Sequence, residues 1–428
     1  MSRMVAVALA CLIILPGVVA VAPQPAVPQT KEVVIGVLYP LSGNAAQVGI
    51  DCVNAVKLAV DIVNNGASVN LPLAKGGGLS GLGGAKIRVV VVDHQGKPEV
   101  GQAEAERRIT QEKVHALFGA YFSGVTATVS QVAERNGVPI MNAESSSPAL
   151  TERGFKYFFR TSPHDGHFSQ AMFDFMRDLE KRRNVKFKTL GLLHEATQFG
   201  SDSAKVQQEL AKKYGYEVVV DVTYKNPATN LDAEVGKLKA ANPDVFLPTS
   251  YTNDAILFVR TAKTLDYNPK LLLAQNAGWT DPTFLRETGK DAEGHITRAP
   301  FALDMAAKKP LIAQVNELFK AHPANTAKRE MSDVPARALT GFLTLADAIN
   351  RAKSTNPEEI RKALVATNLP PDQLIMPWTG VKFDEKGQNT GVRAILQQVQ
   401  NGAYWTIYPF ELATKDPAYP MPAWKDRK

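Results

Sequence analysis

From Lys31 onward, short apolar runs alternate with stretches in which apolar residues return every three or four positions. "EVVIGVLY" (32–39) is an unbroken strand-type run halted by Pro40. The next segment, "SGNAAQVGIDCVNAVKLAVDIVNNG", keeps Ile50, Val53, Val56, Val60 and Val63 on one helical face and ends on Gly66. "AKIRVVVVDHQ", "VHALFGAY" and "VPIMNAE" then read as strands, separated by the helices opened by Pro98 and by "SGVTATVSQVAERNG". A second series starts near Thr161: the helix "GHFSQAMFDFMRDLEKRR", the strand "FKTLGLLHEA", the helix "SDSAKVQQELAKKYG" and the strand "YEVVVDVTY", followed by "LDAEVGKLKAANP", "DVFLPTS", "NDAILFVRTAKTLDY" and "KLLLAQ". Such alternation predicts parallel sheets with right-handed crossovers. After helices near 311–320, 335–353 and "PEEIRKALVA", the late pieces "TGVKFDEKGQNTG", "RAILQQVQNG" and "YWTIYPF" read as strands joined by tight turns, with Glu385-Lys386-Gly387 and Asn401-Gly402 as turn residues. These pieces do not make a third core and complete the first two. The predicted architecture is α/β: two doubly wound parallel-sheet lobes joined by crossover strands. Residues 31–160 with about 303–382 form the first lobe, 161–302 with about 388–412 the second, and 413–428 a tail.

At 428 residues the chain is too long for one ordinary core, and 45% hydrophobic with 21% charged residues is a soluble globular balance. The net charge of +7 is spread out; its densest run, "KRRNVKFK" (181–188), reads as cations at a helix C-terminus rather than a nucleic-acid groove. Residues 1–22, "MSRMVAVALACLIILPGVVAVA", have the basic start, apolar middle and small-residue end of a secretory signal peptide. Lipidation at Cys11 is the alternative to plain cleavage, although the apolar run continues past it. A proline-rich tether follows, and no later segment reaches the roughly 18 apolar residues of a membrane span. Export leaves Cys52 as the lone cysteine, on a helix face with Ile50, Val53 and Val56, where a buried core thiol is expected.

Three motifs suggest catalysis or cofactors, and each lacks its context. Gly76, Gly78 and Gly81 of "GGGLSGLGG" fit G-x-G-x-x-G, but a strand rather than a helix follows, so a mobile surface insert is expected. "HEATQ" begins like a zinc-protease helix, yet position 198 is Gln. "SPHDGH" offers His164 and His167, but Ser162 and Asp165 suit an N-cap for the helix from Gly166. No nucleophile elbow or phosphate loop occurs, and neither catalysis, cofactor nor metal is expected. The positive signal is a set of small polar loops after successive strands of the first lobe: "YPLSGNAAQ", "AYFSGVTAT" and "NAESSSPALT". Ligands of open α/β sheets sit at the carboxyl ends of the strands, where hydroxyls and free N–H groups hold anions.

The stretches "IGVLYPLSGNAAQVGIDCVNAVKLAVDIVN", "VPIMNAESSSPALTERGFKYFFRTSP", "TNLDAEVGKLKAANPDVFL" and "TGVKFDEKGQ", in that order and spacing, resemble the periplasmic solute-binding proteins of branched-chain amino-acid ABC transporters (leucine-binding-like, type I). The resemblance covers most of residues 31–412. It implies a periplasmic monomer without cofactor, whose two lobes close on a small solute and dock on the membrane permease of an ABC transporter. It also implies that Ser123 and Ser145 or Ser146 hold a ligand carboxylate, and that Phe199 and Tyr251 cover the ligand. Two positions depart from the pattern. Asn276 in "LLLAQNAGW" stands where an acid would meet an α-ammonium, and Val48 stands where the first loop would place an aromatic. Glu144 or Asp254 would restore the missing charge; otherwise a carboxylate without the amine, or a neutral amide, fits better. The other readings are a ligand-sensing regulator on the same fold and a secreted enzyme.

Overall fold

A computed structural model describes residues 32–427; the segment read as a signal peptide, with Cys11, and the proline-rich stretch after it lie outside the described residues. The chain runs β1 (Glu32–Tyr39), α1 (Ala46–Asn65), β2 (Lys86–Asp93), α2 (Pro98–Thr110), β3 (Ala116–Gly119), α3 (Ser123–Asn136), β4 (Ile140–Asn142) and β5 (Phe158–Arg160). It continues with α4 (Asp165–Arg183), β6 (Thr189–Glu195), α5 (Gln198–Tyr214), β7 (Glu217–Tyr224), α6 (Asp232–Ala241), β8 (Val245–Thr249), α7 (Thr252–Thr264), β9 (Leu273–Ala274), α8 (Pro282–Thr288) and β10 (Ile296–Ala299). Last come α9 (Leu311–Ala321), α10 (Asp333–Ala352), α11 (Pro357–Val365), β11 (Ile395–Gln400) and β12 (Ala403–Tyr408).

The first five strands form one parallel sheet in the order β2-β1-β3-β4-β5. β1 is buried from Val33 to Tyr39, as an unbroken apolar run covered on both faces must be. Helix α1 lays Cys52, Val53, Val56 and Val63 into this lobe's core beside α9 and α10. Cys52 is buried as expected, whereas Ile50 points away and is 41% exposed. The second sheet is assembled from β7-β6-β8 and β9-β10-β11-β12, linked by a parallel bridge between Phe246 and Leu272. Its β11–β12 edge is an antiparallel hairpin turned by Asn401 (φ 55°) and Gly402 (φ 74°), both in the left-handed conformation such a tight turn demands. Of "KLLLAQ" only Leu273–Ala274 is a full strand, because an apolar run reports burial and not the length of pairing. "TGVKFDEKGQNTG" makes isolated bridges, one of which sets Gln388 parallel beside Arg160 at the edge of the first sheet.

The chain passes between the two sheets after β5, after β10 and before β11. The first and last passages are stitched together: Arg160 Nε donates to Gln388 Oε1 at 2.7 Å, and Asn389 Nδ2 donates to the Thr161 carbonyl at 3.0 Å. Two local expectations need correction. The cap of α4 is His164, whose Nδ1 accepts from the Gly166 N–H while His167 Nδ1 accepts from the His164 N–H. Each imidazole thus spends a ring nitrogen on capping. The glycine-rich stretch is not a loose insert. Gly77 and Gly78 donate to the Asn64 and Val63 carbonyls at the end of α1, and Gly81 donates to Asn350 Oδ1 at 2.8 Å. Gly76, Gly77 and Gly78 have φ between 72° and 87°, and Leu79 beside them is fully buried. Glycine is required there by positive φ and close backbone approach.

Candidate functional site

The carboxyl ends of β3 and β4 in the first sheet face the ends of β8, β9 and β10 in the second, and side chains from both meet around one small cavity of about 20 Å³. Tyr121, Ser123, Glu144, Ser146 and Arg337 line it from the first lobe; Phe199, Tyr251, Ala277 and Arg298 line it from the second. Of the expected residues, Ser123, Ser146, Phe199 and Tyr251 therefore stand together. Ser123 opens α3, and its Oγ accepts from the Ser147 N–H at 3.4 Å. Ser146 Oγ accepts from Arg298 Nη2 at 3.3 Å across the interface between lobes. The aromatic wall also crosses that interface: Tyr251 lies 5.4 Å from Phe199, 4.7 Å from Phe122 and 6.0 Å from Tyr121, centroid to centroid.

Ser145 and Asn276 are not among the lining residues. Ser145 Oγ donates to the Tyr121 carbonyl at 2.9 Å, accepts from Asn142 Nδ2 at 3.1 Å and lies 2.7 Å from Thr126 Oγ1, so it is spent on holding the loop. Asn276 donates to Asp333 Oδ2 at 2.5 Å and accepts from Thr280 Oγ1 at 2.9 Å. It ties the second lobe to the start of α10 in the first. Asp254 accepts from Asn226 Nδ2 and the Ala228 N–H, bracing its own loop, and Val48 is buried in the first lobe's core.

Four lining residues went unanticipated as ligand contacts: Tyr121, Ala277, Arg298 and Arg337. Both arginines had a signal, each being an isolated cation in an apolar context ("HITRAP" and "VPARALTGFL"). Arg298 is 2% exposed; its Nη2 lies 3.2 Å from Asp165 Oδ1, and its guanidinium stacks 3.6 Å from the Phe168 ring centroid. Its Nε and Nη1 are buried without a protein partner. Burial pulls Arg298 down to about 9 and pushes the Asp165 carboxyl up, each opposed by the charge of the other. Arg337 donates to the Glu144 carbonyl at 2.9 Å and to Asp333 Oδ2 at 3.0 Å, leaving Nε unpartnered.

Glu144 is the other unusual group. One carboxyl oxygen accepts from the Tyr39 hydroxyl at 2.6 Å, while Oε2 is buried with no partner. Burial raises its pKa to about 7, with the Tyr39 hydrogen bond and Arg337 pulling the other way. Two lining residues, Tyr121 (φ 69°) and Ala277 (φ 58°), hold left-handed backbone conformations that non-glycine residues avoid, and such strain concentrates at ligand clamps. The arrangement supplies cations and hydroxyls to one group, an acceptor to another, and aromatic faces between them. Among the described residues no group of three or more His, Cys, Asp or Glu is placed to hold a metal, and no helix is long and apolar enough to cross a membrane.

Comparisons with known proteins identify the family. The family model for periplasmic binding proteins matches residues 32–403. A Leu/Ile/Val-binding protein homolog of Brucella abortus (strain 2308) is 27% identical over 404 residues, covering 92% of this chain and 96% of its own. A second Leu/Ile/Val-binding homolog of that organism is 27% identical over 383 residues, covering 88% and 91%. Among solved structures, a leucine-binding protein of Thermotoga maritima superposes with a TM-score of 0.73 at 21% identity, over 87% of this chain and 97% of that one. The branched-chain amino acid transporter substrate-binding protein of Streptococcus pneumoniae in complex with isoleucine gives 0.72 at 22%, over 87% and 98%. A solute-binding protein of Rhodopseudomonas palustris in complex with benzoate gives 0.73 at 18%, over 92% and 98%. These structural likenesses are likenesses of fold. The family match, the two-lobe architecture and the cavity between the lobes lead to one conclusion: the chain belongs to the periplasmic binding proteins, as a leucine-binding-like solute-binding protein of the type I fold.

Proposed function

We propose that this protein captures a small carboxylate between its lobes in the periplasm and delivers it to the permease of an ABC transporter. The observation that carries the reading is the pair Arg298 and Arg337, presented to one cavity from opposite lobes, with three buried N–H-bearing nitrogens lacking a protein partner. An anion touching both arginines favours the closed arrangement over an open one, which is how a ligand shifts a two-state equilibrium. Ser123 and Ser146 complete the anion side, and Tyr121, Phe199 and Tyr251 pack the body of the solute. The moving bodies in this reading are residues 31–160 with about 303–382 and residues 161–302 with about 388–412, and export follows from the signal-type segment at 1–22.

A second reading of the solute rests on Glu144. Its unpartnered Oε2 faces a charge balance set by Arg337 and Asp333, and an α-ammonium placed there would satisfy it from the first lobe. The relatives bind leucine, isoleucine or benzoate, so an amino acid and an aromatic acid are the two solutes to compare. Isothermal titration of the purified mature protein with leucine, isoleucine and benzoate distinguishes them. Replacing Arg298 by Ala is expected to weaken the bound acid by about 10- to 100-fold, the worth of a charge-assisted hydrogen bond. Unchanged affinity in the double variant Ser123→Ala with Phe199→Ala would overturn the site.

A further inference from the structure

The "HEATQ" stretch, which lacks the second histidine of a zinc site, spans the end of β6 and the start of α5. Its acid, Glu195, closes β6 and is completely buried. The carboxylate accepts three hydrogen bonds from the turn that follows: from the Thr197 N–H at 2.6 Å, the Thr197 hydroxyl at 2.8 Å and the Gly200 N–H at 2.6 Å. Thr197 is the N-cap of α5, yet its side chain caps nothing and turns back to Glu195. The last residue of the strand therefore caps the helix, with its charge at the positive end of the helix dipole. The fit is tight, because a Cβ on Gly200 would lie 2.0 Å from the Glu195 carbonyl oxygen and 2.8 Å from its Oε1. Between these two anchors sits Phe199, which lines the ligand cavity with its ring 5.4 Å from that of Tyr251. Gln198 and Asp202, on the same turn of helix, reach Ser147 of the first lobe. Glu195 is not itself a lining residue. Its charge still acts on the wall: burial first, and then Glu195, raise the Tyr251 hydroxyl well above its ordinary value, so that ring stays a neutral phenol.

We propose that Glu195 is a positioning residue for the solute: it holds Phe199, and with it the Phe199–Tyr251 wall, in place before the solute arrives, and so sets the preference for a carboxylate with an apolar body over a bare anion. The inference rests on the reading of the cavity as a carboxylate site, in which the arginines grip the charge and the aromatic wall grips the body. A wall already in place is not ordered at the solute's expense, whereas a loose one must be immobilised by the solute as it binds. Acetate carries the charge and almost no body, so it depends on the arginines and not on the wall. Only an ionised carboxylate offers two oxygens that accept and nothing that must donate, which is why an amide of the same shape cannot replace Glu195.

Titration calorimetry and hydrogen exchange of the purified mature chain test it, with benzoate, leucine and acetate as probes. Glu195→Gln is expected to weaken the tighter of benzoate and leucine by about ten-fold, the cost of ordering two rings on binding, and acetate by less than about three-fold. Glu195→Asp keeps the charge on a shorter stem and should recover most of the lost preference. Arg298→Ala, by contrast, should weaken all three acids. Without any solute, Glu195→Gln should speed amide exchange in the segment 196–203 and leave β6 and β8 as protected as in the parent. Equal weakening of acetate and the larger acid, no recovery in Glu195→Asp, or parent-like exchange in 196–203 would each overturn the positioning role. If the parent binds none of the three acids, the carboxylate reading itself fails, and exchange in 196–203 alone decides whether Glu195 holds the wall.

Discussion

Glu144 couples the site to the stability of the fold. Its carboxyl is completely buried beside Tyr39 and Cys52, with Arg337 and Asp333 of α10 facing it, and its pKa is raised from 4.5 to about 7. In the unfolded chain the group ionises near its ordinary value, so between about pH 4.5 and 7 the folded state holds more protons than the unfolded state. Stability must therefore fall as pH rises through that window and level off above it, by about 3 kcal/mol at most. Glu144→Gln keeps a neutral group of similar shape and removes this contribution. Urea unfolding at pH 5 and pH 7.5 should show a smaller loss between the two pH values in Glu144→Gln than in the parent. Asp51, raised to about 6, and the raised Asp165 titrate in the same direction, so the difference between the two proteins, and not the parent slope alone, decides the matter. Equal slopes would mean that Glu144 stays ionised in the fold.

Helices and loops differ in what a glycine does for them, and two positions expose the difference. A Cβ on Gly81 would lie 2.0 Å from the Asn350 carbonyl oxygen at the end of α10, and backbone cannot yield as a side-chain tip does. Gly81→Ala is expected to cost about 1–3 kcal/mol as overpacking. Gly236, inside α6, has nothing within 4 Å of its missing Cβ, so Gly236→Ala should stabilise by about 1 kcal/mol through helix propensity. Denaturant midpoints of the two variants should move in opposite directions. The same contrast explains what could be read from sequence. Periodicity revealed the strand–helix alternation because the periods of 2 and 3.6 are local, and it located the loops that carry Ser123 and Ser146 at strand ends, whereas Phe199 and Tyr251 came from the resemblance to the solute-binding family. It could not show that the glycines near 78 approach the ends of α1 and α10, since those contacts join residues far apart in the chain. Arg298 and Arg337 each carried a local signal as a lone cation in an apolar segment, but that they share one cavity is again a contact between residues far apart in the chain.

For the molecule as a whole, contacts outside the lining of the ligand cavity also hold the lobes together. Ser147 Oγ, after β4, donates to Asp202 of α5, and Gln198 Nε2 donates back to Ser147 Oγ at 3.1 Å. Asn276 joins Asp333 from the opposite lobe, and Arg329 approaches Asp281 at 3.9 Å. Such contacts exist only when the lobes are apposed, so they set how much of the population is already arranged to grip a solute. Apparent affinity falls by the fraction of molecules in that competent state. Asp202→Ala removes the cross-lobe acceptor of the Ser147 hydroxyl, leaving the Gln198 bond to Ser147 in place, without altering a lining group. Its expected result is a three- to ten-fold weaker apparent affinity for the carboxylate and a larger radius of gyration in solution scattering without ligand. Saturating ligand should return the radius to the parent value, because binding free energy then replaces the lost contacts. A variant that binds weakly but keeps the parent radius in both conditions would place Asp202 in the binding site itself. An unchanged affinity with an enlarged radius would mean that closure is not limiting and that the two arginines alone carry the grip.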